Sequence, residues 1–333
     1  MSVRPVQVVG ATRPEPAAEA GWDTAPGLAE GARNTDLTVD RCDLNYWIRN
    51  VAQGTWSGLV NGHRPEAETP AHMKRPGPLR DAMIHEMAFR SLAEAIAARV
   101  LSYLVIHAPD RNSMEFYVTQ VADEARHSSV FRGHLLEMGI AEADLPGIIE
   151  RYASEGRDTV LKPLEDWILG VMRDDQDFVG GVVCITILVE GVLAPAAEIS
   201  ELKWRLLDPA AAQIEWGANI DEIRHLTVGA SIVRKAIEQN PAEKDRLLEV
   251  IRRGVTLWNE VPTDDVILQR EHLFQQGMAE FEELLADYEL LPGVRLLDTT
   301  PEQRMEIAYE RQRELQRSRL GFMHLEDAEQ YLV

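Results

Sequence analysis

A chain of 333 residues that is 45% hydrophobic and 27% charged can bury a sizeable core as one large domain, and needs no second one. Its formal net charge of -21 argues against nucleic acid and anionic membrane surfaces as partners, and leaves a neutral or cationic small molecule or a basic protein. Cys42 and Cys184 are far apart and outside any metal-binding spacing, and the chain has neither about eighteen uninterrupted apolar residues nor a secretory N-terminus, so a cytoplasmic protein with two buried thiols is expected.

Residues 1–36 are rich in Pro, Ala, Gly and Glu without periodicity, which predicts a flexible N-terminal arm ahead of a domain over 37–333. A first helix is expected from Asp43 through Asn61, ending in a loop that holds Pro65, Pro70, Pro76 and Pro78. From Leu79 to His107 apolar residues recur at three and four, predicting a long core helix that carries Glu94. Asn112 or Ser113 should cap a second long helix, to about Gly139, carrying Glu124 and His127. Shorter helices are expected over Ala141–Glu155 and Asp158–Asp174. A third long helix over Asp177–Arg205 is nearly all apolar around Glu190, with Pro195 expected to kink it just past that residue. Asp208-Pro209 opens the fourth long helix, to Gln239, with Glu222 and His225. Helices over Pro241–Asn259, Thr263–Asp287 and Pro301–Arg319 complete an all-α chain in which no strand is expected.

One five-residue phrase occurs twice: Asp123-Glu124-Ala125-Arg126-His127 and Asp221-Glu222-Ile223-Arg224-His225. Three residues along a helix turn about 300° and rise about 4.5 Å, so the Glu and His of each phrase share a face. Glu94 lies 30 residues before Glu124 and Glu190 lies 32 before Glu222, the spacing of two antiparallel helical pairs. Alone, a Glu-x-x-His pair is as readily a surface ion pair. Two such pairs with two lone glutamates at matching distances form the ligand plan of a di-iron carboxylate helical bundle. Glu190 stands among Ile185, Leu188, Val189, Val192 and Leu193, where a bare carboxylate would be costly. Four carboxylates and two divalent ions balance to neutrality. Glu86, two turns before Glu94, is the competing first ligand. Asp123 and Asp221 are expected as acceptors of the imidazole N–H groups, paired with Arg126 and Arg224, with a plain interhelical salt bridge as the alternative. The other seven histidines read as surface or cap residues, and the Trp and Met residues as core.

The paired phrases with Glu94 and Glu190 resemble the ferritin-like superfamily of non-haem di-iron proteins over roughly residues 80–240. The resemblance implies a ferritin-like four-helix bundle with additional helices, and iron held by Glu94, Glu124, His127, Glu190, Glu222 and His225. Within that superfamily, Phe131 stands where ribonucleotide reductase subunits keep a radical tyrosine. Ala194 stands where hydrocarbon monooxygenases carry a threonine, and Ala218 where aromatic-amine N-oxygenases add a third histidine. Ferroxidases are about half this length. By overall likeness the chain is similar to azoxy-forming, valanimycin-type nitrogen oxygenases of natural-product biosynthesis.

The implied function is oxidation of a small molecule by two iron ions with O2 as co-substrate, N-oxygenation first, with C-hydroxylation or iron oxidation as alternatives. Glu190, followed by Gly191 and five residues before Pro195, is expected to act catalytically by changing its coordination to admit O2. No flavin, nicotinamide or iron–sulfur motif is present, so electrons must come from a separate reductase or small carrier. A homodimer is compatible with this reading.

Overall fold

The computed structural model describes residues 16–56, 59 and 61–332. Helix covers most of them. The long elements are α1 (Pro78–His107), α2 (Arg111–Glu137), α3 (Leu145–Gly156), α4 (Lys162–Leu169), α5 (Phe178–Trp204), α6 (Pro209–Gln239), α7 (Glu243–Glu260), α8 (Thr263–Met278) and α9 (Pro301–Phe322).

Local chemistry sets their starts. Asp110, Asp177 and Asp208 cap α2, α5 and α6 by accepting the backbone N–H groups of Ser113, Gly180 and Ala211. The cap of α2 is thus Asp110 and not Asn112 or Ser113, because the helix restarts directly after the break at Ala108-Pro109. Thr300 and Gln303 form a reciprocal capping box at the start of α9.

Helices α1 and α2 pack as an antiparallel pair, tied by Ser128 Oγ donating to the Ser91 carbonyl at 2.7 Å. Helices α5 and α6 form a second pair, and α2 meets α6 between the pairs. Outside, α8 packs on α1 and α9 on α5. Two apolar cores occupy opposite ends of this arrangement. On α1 their members stop at Ala88 and resume at Val100, and on α2 they stop at Tyr117 and resume at Val130. Glu94 and Glu124 fall in that gap. Although α5 is long and apolar enough to cross a membrane, its most apolar stretch is 78% buried within the protein, so its apolarity serves the core.

A buried ion network fastens the outer helices. Glu271 of α8 lies 2.5 Å from Lys203 of α5 and 2.6 Å from Arg304 of α9. Glu86 of α1 accepts from Trp204 Nε1 at 2.9 Å and Ser200 Oγ at 2.5 Å, beside Lys203 and Arg90.

Several expectations are corrected. Within the expected N-terminal arm, part of 16–36 is docked: Leu28 and Ala32 are buried in the same core as Ile223 of α6, Gly31 lies against Ile223, and the Leu28 N–H donates to Glu198 Oε1 at 3.0 Å. Averaged over 36 residues the composition hides these few apolar anchors. Residues 1–15 lie outside the described residues. The expected helix over 43–61 is a short turn, Leu44–Tyr46, continued by a wide i→i−5 segment, Trp47–Trp56, and residues 57, 58 and 60 lie outside the described residues. A small antiparallel hairpin, Glu289–Leu291 with Val294–Arg295, appears where no strand was expected. It turns on Pro292-Gly293, with Gly293 at φ 79°, the left-handed position that follows proline in a tight turn.

The irregularity expected in α5 after Glu190 lies before it. Residues Cys184–Val189 form another wide i→i−5 segment, and the helix continues through Pro195. A wide turn upsets the i→i−4 ladder, and side chains from α9 and α7 take up two of its carbonyls. Gln316 Nε2 donates to Ile187 O at 2.9 Å and Trp258 Nε1 to Leu188 O at 2.6 Å.

Candidate metal centre

Four helices deliver six side chains to the gap between the cores: Glu94 from α1, Glu124 and His127 from α2, Glu190 from α5, and Glu222 and His225 from α6. They form two groups whose nearest N and O atoms lie within 4.8 Å of one another. Glu94, Glu124 and His127 make one; Glu124, Glu190, Glu222 and His225 make the other. Glu124 belongs to both. His127 Nδ1 stands 3.2 Å from Glu124 Oε2 and 3.8 Å from Glu94 Oε2. His225 Nδ1 stands 3.3 Å from Glu124 Oε1, 3.5 Å from Glu190 Oε1 and 3.6 Å from Glu222 Oε2. Glu86, the competitor of Glu94, is committed to the ion network described above.

The Asp and Arg residues of the phrases are wired crosswise. His127 Nε2 is 3.1 Å from Asp221 Oδ2, and His225 Nε2 is 3.3 Å from Asp123 Oδ2. Arg126 Nη2 donates to Asp221 Oδ2 at 2.7 Å, and Arg224 Nη2 donates to Asp123 Oδ2. Each phrase thus supplies the acceptor for the other phrase's imidazole. One residue before Glu, the Asp is rotated by about 100° and faces the neighbouring antiparallel helix instead of its own turn. The contacts serve as imidazole hydrogen bonds and as interhelical salt bridges together, so the two readings weighed for these residues coexist. With the proton directed to Asp on Nε2, Nδ1 of each histidine is left facing the carboxylates.

Burial and crowding set the electrostatics of the cluster. Burial, then the neighbouring Glu124 charge, pushes Glu94 up to about 7. Burial, then Glu190 and Glu124, pushes Glu222 well above the ordinary carboxylate range, and burial also raises Glu190. Against its own burial, Glu124 is held well below that range by His127 and His225 beside it. Both histidines are raised, the cost of burial being outweighed by Asp221 at His127 and by Asp123 at His225. Buried and without a hydrogen bond are Glu124 Oε1, Glu190 Oε2, Glu222 Oε2 and His225 Nδ1. Unpaired buried atoms of this kind are expensive, and divalent metal would satisfy all four. Carboxylate oxygens with one imidazole per group suit a first-row transition ion such as iron or manganese. The residues therefore fit the metal pair that the sequence implies.

Several participants carry little sequence signal. Gln120, one turn before Glu124, donates to Glu190 Oε1, and its position on the ligand face could have drawn attention to it. Trp47 donates from Nε1 to Asp123 Oδ1 at 3.0 Å. The sequence marks Trp47 only as a core residue, and nothing in its neighbourhood along the chain indicates this contact. Trp56 stacks edge-on against Trp47 and lies under Arg126, so the 47–56 segment covers one side of the crossed ion pairs. Two histidines read as surface or cap residues are buried: His134 pairs with Asp208 at 2.9 Å and His63 with Glu137 at 3.0 Å.

A narrow pocket opens on the cluster. Ala93, Ala97, Leu101, Phe131, Leu193 and Ala197 give it an apolar lining, shared with Glu94, Glu124, Glu190 and Glu222. Glu215, Asn219 and Arg90 line it as well. At Gly191 a β-carbon would sit 2.8 Å from the Thr186 carbonyl oxygen, so the wide turn before Glu190 needs glycine at that position. The sequence matches no protein-family model and no curated protein sequence.

Proposed function

We propose that this protein is a non-haem di-iron oxygenase built on a ferritin-like four-helix bundle, oxidising the nitrogen of a small molecule. The observation that carries the reading is the doubled, crossed constellation: two carboxylate–imidazole groups that share Glu124, each imidazole oriented by the other phrase's aspartate. Surface ion pairs have no need of that reciprocity, whereas two adjacent metal ions do. In this reading Glu94, Glu124 and His127 hold one iron, and Glu124, Glu190, Glu222 and His225 hold the other. Bound there, the ferrous pair supplies the electrons and the binding positions through which O2 is activated.

The chain's own residues do the rest. Asp123 and Asp221 fix the imidazole tautomers, and Arg224 and Arg126 pair with those aspartates. Gln120 holds one oxygen of Glu190 and thereby restricts its swing. The apolar wall excludes water from the oxidising centre. Phe131, buried on that wall, offers no phenol for a stored radical, which favours turnover over a radical-bearing subunit. A nitrogen lone pair is easier to oxidise than an unactivated C–H bond, so N-oxygenation comes first. Electrons arrive from a separate reductase or small carrier.

Incubation of the reduced, iron-loaded protein under ¹⁸O₂ with a panel of amines, hydrazines and aromatic acids tests the proposal. A product heavier by one labelled oxygen on nitrogen is the expected result. Label on carbon would move the assignment to C-hydroxylation. Iron oxidation with no label in any product would replace the oxygenase by an iron-oxidising protein.

A further inference from the structure

We infer that Glu215 and Asn219 form the head-group subsite of the pocket, and that it selects a short aliphatic molecule ending in a primary amine, hydroxylamine or hydrazine. Glu215, Asn219 and Glu222 occupy positions i, i+4 and i+7 of α6, one face of the helix, and all three line the pocket. Asn219 is 1% exposed, and neither its amide nitrogen nor its amide oxygen has a hydrogen bond among the described residues. Glu215 is fully buried; Arg90 Nε stands 2.8 Å from one of its oxygens, and neither oxygen receives a well-formed hydrogen bond. Buried polar groups are nearly always satisfied, so a donor, an acceptor and a carboxylate left open along one wall describe the complement of a ligand.

That complement is specific. The ligand head must give hydrogen bonds to the Asn219 oxygen and to Glu215, and accept one from the Asn219 nitrogen. A neutral amine, hydroxylamine or hydrazine has at least two donor hydrogens and a lone pair. An alcohol has a single donor. A carboxylate has none, and it would face Glu215, Glu94 and Glu222 across the same narrow space. Beyond the head, Ala93, Ala97, Leu101 and Leu193 accept an aliphatic tail. The chemistry done on this head rests on the di-iron reading above, but its recognition does not.

Calorimetric titration at mildly alkaline pH with N-butylhydroxylamine, which is neutral there and keeps its lone pair, and with butyrate tests the subsite, run on metal-reconstituted and metal-free samples of wild type, Asn219→Leu, Asn219→Ala and Glu215→Gln. Metal content is measured on the same samples, and circular dichroism establishes which variants are folded. Wild type should bind N-butylhydroxylamine at least about tenfold more tightly than butyrate. Each folded variant should lose roughly tenfold of that affinity, as expected for one buried hydrogen bond, while keeping wild-type metal content. Any of three results overturns the inference: no measurable binding of N-butylhydroxylamine, butyrate binding as tightly, or folded Asn219 variants within twofold of wild type. Wild type that takes up no metal would defeat the di-iron reading alone, since the hydroxylamine–butyrate comparison is also made without metal.

Discussion

Replacing Asp221 by asparagine separates the crossed arrangement from the simpler one in which each aspartate serves its own phrase. Asparagine keeps the shape but removes the charge that Arg126 meets at 2.7 Å and His127 Nε2 at 3.1 Å. Loss of such a hydrogen-bonding partner weakens metal binding by roughly ten- to a hundredfold, or about 1.4–2.7 kcal/mol. The crossed geometry places that loss at the Glu94–Glu124–His127 group, although Asp221 is adjacent in sequence to Glu222. A double-mutant cycle read by Mn²⁺ titration resolves the two sites. In a His127→Ala background Asp221→Asn should have little further effect on affinity, because the imidazole it orients is gone. In a His225→Ala background its full effect should persist. Asp123→Asn should give the mirror-image result. Coupling of Asp221 to His225 in place of His127 would refute the crossed wiring.

A Glu124→Ala, His225→Ala double variant should lose nearly all bound metal by elemental analysis, since Glu124 serves both groups; full retention would remove the centre. Gly191→Ala should cost roughly 1–3 kcal/mol of thermal stability, because its β-carbon meets the Thr186 carbonyl at 2.8 Å and backbone must shift. If the wide turn gives Glu190 the slack to change its binding mode, that variant keeps its iron but consumes O2 more slowly, and an unchanged O2 rate would argue that another ligand moves. His134 gives a pH signature: despite burial, Asp208 raises it from 6.5 to about 9. Stabilisation from this pair is complete below about pH 6.5 and is lost as pH rises through 9, on the order of 3 kcal/mol. His134→Gln should flatten the denaturant-measured stability across that window, and an unchanged slope would show that the pair contributes no linkage.

The long helices and the six candidate ligands were legible in the sequence because both depend on local periodicity. A Glu-x-x-His pair faces one way on any helix, capping aspartates act within four residues, and similar ligand-to-ligand separations of 30 and 32 residues imply antiparallel pairs. Which residues meet across helices was not legible. The sequence favours Glu94 over Glu86 by its spacing from Glu124, but what Glu86 does instead follows from the packing of α5 against α1, which engages it with Trp204, Ser200 and Lys203. Composition over 1–36 spoke for a mobile arm, yet a docked Leu28 outweighs an average that never sees the surface it docks on. The same holds for Trp47 on Asp123, for the wide turn before Glu190, and for the exchange of aspartates between the two phrases. Each depends on the angle and register of a neighbouring helix, and those are set by side-chain packing over the whole interface rather than by any residue's own neighbours in the chain.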